Sequence, residues 1–252
     1  MKRINKRSRV IKIVMIMQII AMIGILALFT VSCKWTIGLV RGSGNVEEEE
    51  REVSGIDEID FSGMGSLIIT QGEEESLVVE ADDNILPLIE TDVFGDRLSI
   101  GYKLGYNFIP TSNLRFYLTV VDLNKISLKG AGKINCDDLE TDELEFEISG
   151  AGDIDFNIDA DKLEVTSSGA GDLNFSGKVE SHNIDISGVG RYNSKELESK
   201  ECKVTLSGAG SVTVNVTEEL DIKISGVGNV YYIGTPRIRQ DISGLGKVES
   251  ID

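Results

Sequence analysis

The stretch that decides the fold is Leu144-Glu145-Phe146-Glu147-Ile148-Ser149-Gly150-Ala151-Gly152-Asp153-Ile154-Asp155-Phe156. Apolar residues alternate with polar ones on both sides of a Gly-x-Gly, the pattern of two strands that each bury one face and meet at a tight corner. The element recurs. Its first glycine falls at Gly130, Gly150, Gly169, Gly188, Gly208, Gly226 and Gly244 and its second at Gly132, Gly152, Gly171, Gly190, Gly210, Gly228 and Gly246, in steps of 20, 19, 19, 20, 18 and 18 residues. Ser62-Gly63-Met64-Gly65 looks like an earlier copy, separated from the array by an irregular stretch.

Aligning the copies on the first glycine gives columns. Six residues before it stand Leu144, Leu163, His182, Cys202, Leu220 and Ile238, and two before it stand Leu128, Ile148, Ser167, Ile186, Leu206, Ile224 and Ile242. Beyond the corner come Ile134, Ile154, Leu173, Tyr192, Val212, Val230 and Val248, then a second apolar column two residues on. A variable polar turn such as Asp159-Ala160-Asp161 closes each repeat. No helical period of useful length separates the strands, so an α/β reading fails. One such unit cannot bury its own apolar face, whereas stacked copies bury a continuous column and pair each backbone with the coil above and below. The expectation is an all-β, single-stranded parallel β-helix (β-solenoid) with coils of about 18–20 residues. The glycines mark corners where φ is positive or two backbones approach closely. The residues between them, Ala131, Ala151, Ala170, Val189, Ala209, Val227 and Leu245, are expected to plug the corner of the core. Residues 56–120 read as the first, wider coils.

Gly55-Ile56-Asp57-Glu58-Ile59, the turn Thr70-Gln71-Gly72, the segment Ile85-Leu86-Pro87 and the serial Ser-Gly-x-Gly corners come in an order and spacing that resemble the head GIN domain family, described as auto-transporter adhesins, over roughly residues 50–252. The resemblance implies a right-handed β-helix in an exported, often lipid-anchored bacterial protein. It brings no functional residues with it. After Gly246 six residues remain in this sequence, which is read as leaving no room for a translocator barrel, so adhesion would work from an N-terminal anchor.

Residues 1–32 read as a signal peptide or membrane anchor. Lys2, Arg3, Lys6, Arg7, Arg9 and Lys12 precede an uncharged apolar run from Ile13 to Ser32, the charge order of an exported chain. Thr30-Val31-Ser32-Cys33 resembles a bacterial lipobox, with Thr30 where leucine is usual. Lipidation of Cys33 is the preferred reading, and a retained span of ~20 residues is the other. Residues 33–54, with Gly42-Ser43-Gly44 and Glu47-Glu48-Glu49-Glu50, read as a polar tether, and residues 55–252 as the β-helix domain. All 42 acidic residues and 19 of the 25 basic ones fall after residue 32, so the body carries −23. Such a body repels phosphate backbones, which argues against a nucleic-acid partner. The membrane partner enters through the N-terminal anchor, and a glycan or protein ligand is the partner expected of the body. The repeat fixes no oligomeric state.

Candidate chemistry is sparse. A dinucleotide site needs a helix after its glycines, and none follows. The column after the second glycine, Lys133, Asp153, Asp172, Arg191, Ser211, Asn229 and Lys247, is too mixed for a calcium ladder. No cofactor or metal site is expected. His182 is the only histidine and stands in an apolar column, as do Cys136 and Cys202, which are expected to be free thiols on separate coils. The row Ser149, Ser168, Ser187, Ser207, Ser225 and Ser243 reflects repeat geometry rather than one activated hydroxyl. The favoured function is a non-enzymatic adhesion, binding or structural role at the cell envelope. The alternative is a carbohydrate lyase or hydrolase using carboxylates such as Asp153, Asp155 and Asp172. The candidate binding face is the outward, amide-rich column Asn135, Asp155, Asn174, Asn193 and Thr213, which continues to Tyr231 and Glu249; a stabilising ladder of stacked amides is its preferred reading, and a glycan- or partner-binding strip the other.

Overall fold

The structure, a computed structural model, describes residues 38–251. Cys33 and the apolar run before it lie outside the described residues. No helix among the described residues is long and apolar enough to cross a membrane. In chain order the strands are β1 (Gly38–Arg41), β2 (Val46–Arg51), β3 (Glu58–Phe61), β4 (Met64–Gln71), β5 (Ser76–Asp82), β6 (Ile89–Phe94), β7 (Arg97–Tyr102), β8 (Tyr106–Ile109) and β9 (Arg115–Val120). They continue as β10 (Lys125–Leu128), β11 (Ala131–Ile148), β12 (Ala151–Ser167), β13 (Ala170–Ile186), β14 (Val189–Leu206), β15 (Ala209–Ile224), β16 (Val227–Ile233), β17 (Arg237–Ile242) and β18 (Leu245–Ser250).

From β10 onward the alternation read in the sequence becomes a parallel β-solenoid. Each of the long strands β11 to β15 runs from one glycine corner round the polar turn to the next. The columns stack residue on residue: Ile134, Ile154, Leu173, Tyr192, Val212, Val230 and Val248 are successive register partners, as are Leu144, Leu163, His182, Cys202, Leu220 and Ile238. Phe146, Phe156, Phe175 and Tyr192 add an aromatic pile inside the aliphatic column, with successive centroids 5.1 to 6.4 Å apart.

The unequal repeat lengths are absorbed at one place. Register shifts occur between β11 and β12, where a 20-residue step precedes a 19-residue one, between β13 and β14, and twice between β14 and β15. Between β12 and β13, whose steps are both 19 residues, none occurs. Every shift falls between the strand that follows the corner and the end of the polar turn, so the corners stay aligned. A bulge breaks the local ladder, and buried Ser194 and Ser199 donate across the β14–β15 shift to Thr213 O at 2.9 Å and Asn215 O at 3.0 Å.

The corners correct one expectation. A Cβ on Gly150 would lie 2.0 Å from Gly130 O, and one on Gly152 would lie 1.9 Å from Gly132 O. Close approach of stacked backbones therefore demands the glycines. The residue between them does not plug the core: Ala131, Ala151, Ala170 and Ala209 are exposed, and Val189, Val227 and Leu245 are 63%, 58% and 77% exposed. Counting by twos from Ile148 through Gly150 and Gly152 to Ile154 gives both glycines the inward parity and turns Ala151 to solvent.

Residues 58–120 do supply coils, but not in sequence order. β3 and β4 pair in parallel with β10 and β11 on one side and with β7 and β9 on the other. The β7–β9 coil, later in the chain, is therefore the outer one. Antiparallel strands close it: β6 lies on β7, and β5 on β9. Residues 38–51 also depart from the tether reading, because β2 pairs antiparallel with β5 and β1 pairs in parallel with β8. Buried Asp82 fastens this end, accepting from Gly44 N at 2.8 Å, Thr111 N at 2.9 Å and the Thr111 hydroxyl. Burial pushes its carboxyl up, but these hydrogen bonds outweigh burial and hold it below the usual carboxylate range.

Candidate functional site

The outward column Asn135, Asp155, Asn174, Asn193 and Thr213 forms one row of direct register partners across β11 to β15, each half-buried. Part of it is a hydrogen-bonded ladder. Asn174 Nδ2 donates to Asp155 Oδ1 at 2.9 Å, and Asn193 Nδ2 donates to Asn174 Oδ1 at 3.3 Å. Lys133 Nζ lies 2.9 Å from the other Asp155 oxygen. That ammonium, followed by the Asn174 amide, holds the Asp155 carboxyl below its ordinary range against the opposing effect of burial.

The sequence column already runs on to Tyr231 and Glu249, and strand pairing lengthens it at the other end. Register carries it from Asn135 back to Ile68 and Tyr117, and from Thr213 on to Tyr231 and Glu249. It spans nine strands, ~38 Å at ~4.8 Å per strand. Tyr117 is 38% exposed, so the polar row lies between two tyrosines on one sheet face. Tyr117 belongs to the irregular region without a glycine corner, and only strand pairing reveals its place. The signal that could have found it is the alternation in Leu114-Arg115-Phe116-Tyr117-Leu118, which turns Tyr117 outward.

Two carboxylates of the enzymatic reading, Asp153 and Asp155, have partners on the neighbouring coils. Asp153 accepts from Asp172 N at 3.1 Å. Asp155 is held below the carboxylate range, opposite to the raised value a general acid needs at neutral pH. A groove of about 650 Å³ on the polar-turn edge is lined by Asp122, Glu140, Asp142, Asp159 and Asp161 among others and has no basic residue in its lining. Gln71 stitches its floor, donating to Val121 O and Glu140 O and accepting from Glu140 N, at 2.9 to 3.1 Å. No group of three or more His, Cys, Asp or Glu among the described residues is placed to hold a metal ion.

His182 is in the core, with Nε2 2.6 Å from the Tyr192 hydroxyl. Burial lowers its pKa to about 3, so the ring is neutral at physiological pH. Cys136 and Cys202 are free and buried, and burial raises the Cys136 thiol to about 11 and the Cys202 thiol further. Neither supplies a thiolate at neutral pH.

The fold and its faces define a glycine-cornered parallel β-solenoid whose amino-terminal end is closed by antiparallel strands and whose outward columns are solvated ladders. The chain belongs to the head GIN domain family: the family model described as "Putative auto-transporter adhesin, head GIN domain" matches residues 55–236. A crystal structure of a "putative adhesin" from Bacteroides fragilis is 28% identical and superposes with a TM-score of 0.81, over 84% of this chain and 100% of that one. A "putative lipid binding protein" from Parabacteroides distasonis, 23% identical, covers 85% of this chain and 100% of its own with a TM-score of 0.72. A "putative adhesin" from Parabacteroides merdae, also 23% identical, covers 85% and 99% with a TM-score of 0.66. The two 23% matches share the fold. Comparison with curated proteins finds no match.

Proposed function

We propose that this chain is an exported, membrane-anchored envelope protein with a non-enzymatic adhesion or binding role, and that it meets a glycan or protein ligand on the face running from Tyr117 to Tyr231. The observation that carries this reading is the row itself: polar groups at coil spacing on a parallel sheet, with an aromatic ring towards each end. A rigid, repeated array suits a long or repetitive ligand, and tyrosines offer rigid amphipathic contact at low entropic cost. The family's adhesin description and the B. fragilis relative support the same role. Cys33 is the proposed lipid attachment point, on the strength of Thr30-Val31-Ser32-Cys33 after an apolar run.

The ligand claim is tested with Tyr117→Ala and Tyr231→Ala together, assayed for adherence to cells, matrix proteins and glycan arrays beside melting. Loss of adherence with melting intact is expected, and unchanged adherence would move the site off this face. For the anchor, Cys33→Ser should abolish acyl labelling and leave a larger precursor. Unchanged size and labelling would remove the lipoprotein reading.

A further inference from the structure

The two ends of the stack differ. At one end antiparallel β5 and β6 cover the outermost coil. At the other, β17 pairs with β15 and β18 with β16, and no described strand lies on their far side. A bare edge of this kind is a template for another chain, and proteins blunt it with charge, proline or a bulge. Neither β17 nor β18 contains a proline, and both pair in unbroken register. The coil also leaves groups of the inward columns in water: Ile242 is 39% exposed, with Ile238 and Val248 only partly buried.

Charge identifies the occupant. Between Arg237 and Glu249 the chain carries Arg237, Arg239 and Lys247 against Asp241 and Glu249, in a body that is otherwise strongly acidic. Two copies can therefore bring these ends together without the repulsion that their other surfaces impose. We propose that a second copy of this chain docks here, end to end about a two-fold axis, with β17 of each copy antiparallel to β18 of the other.

The register follows from the side chains. Ile238, Gln240, Ile242 and Val248 continue the inward columns, while Arg239, Asp241, Lys247 and Glu249 point outward. Pairing centred on Gly244 keeps inward residues on inward ones and sets Arg239 opposite the partner's Glu249 and Asp241 opposite the partner's Lys247. A two-residue slip sets Arg239 against the partner's Lys247 in one direction, or Asp241 against the partner's Glu249 in the other. Like charges directly opposite are destabilising, so one register is selected. It also prolongs ladders already present: Arg239 sits 3.8 Å from Asp221, and Asp241 is the register partner of Lys223. Pairing β17 with β17, or β18 with β18, engages only one strand per copy, because the axis then passes through that strand's middle. Gln240, in the column filled by Val204 and Ile222 in the preceding coils, lets the end stand in water when unpaired, so the association is reversible.

The test uses the full chain in detergent micelles. Arg239→Cys with Glu249→Cys should give a disulfide-linked dimer on mild oxidation, and each single variant should not. By sedimentation, Arg239→Glu should weaken dimerisation at least ten-fold and Arg239→Glu with Glu249→Arg should restore it, with circular dichroism unchanged throughout. A chain that stays monomeric at every concentration would overturn the proposal. So would a dimer indifferent to Arg239→Glu, or Arg239→Cys alone cross-linking as well as the pair.

Discussion

From Lys125 to Ile233 each coil follows the last both in sequence and in space, whereas residues 58–120 lay two coils in reverse order and close them with antiparallel strands. Both regions feed the same apolar column, but they are registered by different means. In the array, glycine on glycine sets the alignment every 18 to 20 residues, and the stretch from the second strand through the polar turn absorbs the remainder. In the amino-terminal region side chains do that work. Asp82 ties the turn at Gly44 to Thr111, and the Tyr102 hydroxyl donates to Met64 O while accepting from Met64 N at 2.8 Å. A repeat can be aligned by absent side chains; an irregular end needs specific polar ones.

The largest effect should come from the array's registering element. Gly152→Val places a Cβ 1.9 Å from Gly132 O, and we expect a loss of more than ~4 kcal/mol, or no folding. Ala151→Val, one residue away and exposed, should stay within ~0.5 kcal/mol by urea unfolding. Equal sensitivity at the two positions would break the account of the corner. At the irregular end, Asp82→Ala strands the Gly44 and Thr111 N–H groups, at about 3 kcal/mol. Its signature is early proteolysis within residues 38–51 while the array stays protected. Because the Asp82 carboxyl is held low in the folded state, its contribution is present at neutral pH and fades as acid protonates it.

A third effect separates the regions by pH. His182 has a folded pKa of about 3 against ~6.5 when unfolded, so below pH 6.5 protons stabilise only the unfolded chain. Its contribution is full above pH 6.5 and declines as pH falls towards 3. Relative to His182→Leu, the wild type should lose about 2 kcal/mol between pH 7 and pH 5. Parallel pH profiles for the two proteins would show that the ring is not buried neutral. The smallest effect concerns the ladder. Asn174→Asp with Asn193→Asp sets like charges beside Asp155, and should cost about 1 kcal/mol, partly restored by salt. Unchanged melting at low salt would remove the ladder's structural role.

The array was legible because two independent periods, alternation within strands and glycines between them, agree from Gly130 to Gly246. The same alternation assigns Ala151 to solvent. The expectation of a corner plug arose from breaking the period at the glycines instead of counting through them. Residues 46–51 read as a tether because Glu47-Glu48-Glu49-Glu50 has no apolar alternation, yet they form β2. Its burial is nearly uniform because it is an edge strand exposed on both faces, where charge protects rather than packing selects. The reversed coil order left no trace in composition, since β3 and β7 present the same inward pattern in Ile59, Phe61, Leu98 and Ile100. Of the candidate face, the sequence columns yielded Asn135 to Glu249, Tyr231 included, and its other aromatic end at Tyr117 required the pairing of β4 with β9.

The central claim is that both regions form one continuous stack with the Glu58–Phe61 coil in the middle. Disulfide mapping in three double variants, read by mass spectrometry of linked peptides, tests it most directly. Glu58 is the register partner of both Arg97 and Lys125, so Glu58→Cys should link to Arg97→Cys and, in a separate variant, to Lys125→Cys. Arg97 and Lys125 are two strands apart, ~9.6 Å, beyond the ~7 Å that a disulfide spans. The variant carrying Arg97→Cys with Lys125→Cys should therefore stay reduced. A ready link between positions 97 and 125, with none from 58 to 97, would put the coils in sequence order and contradict the account.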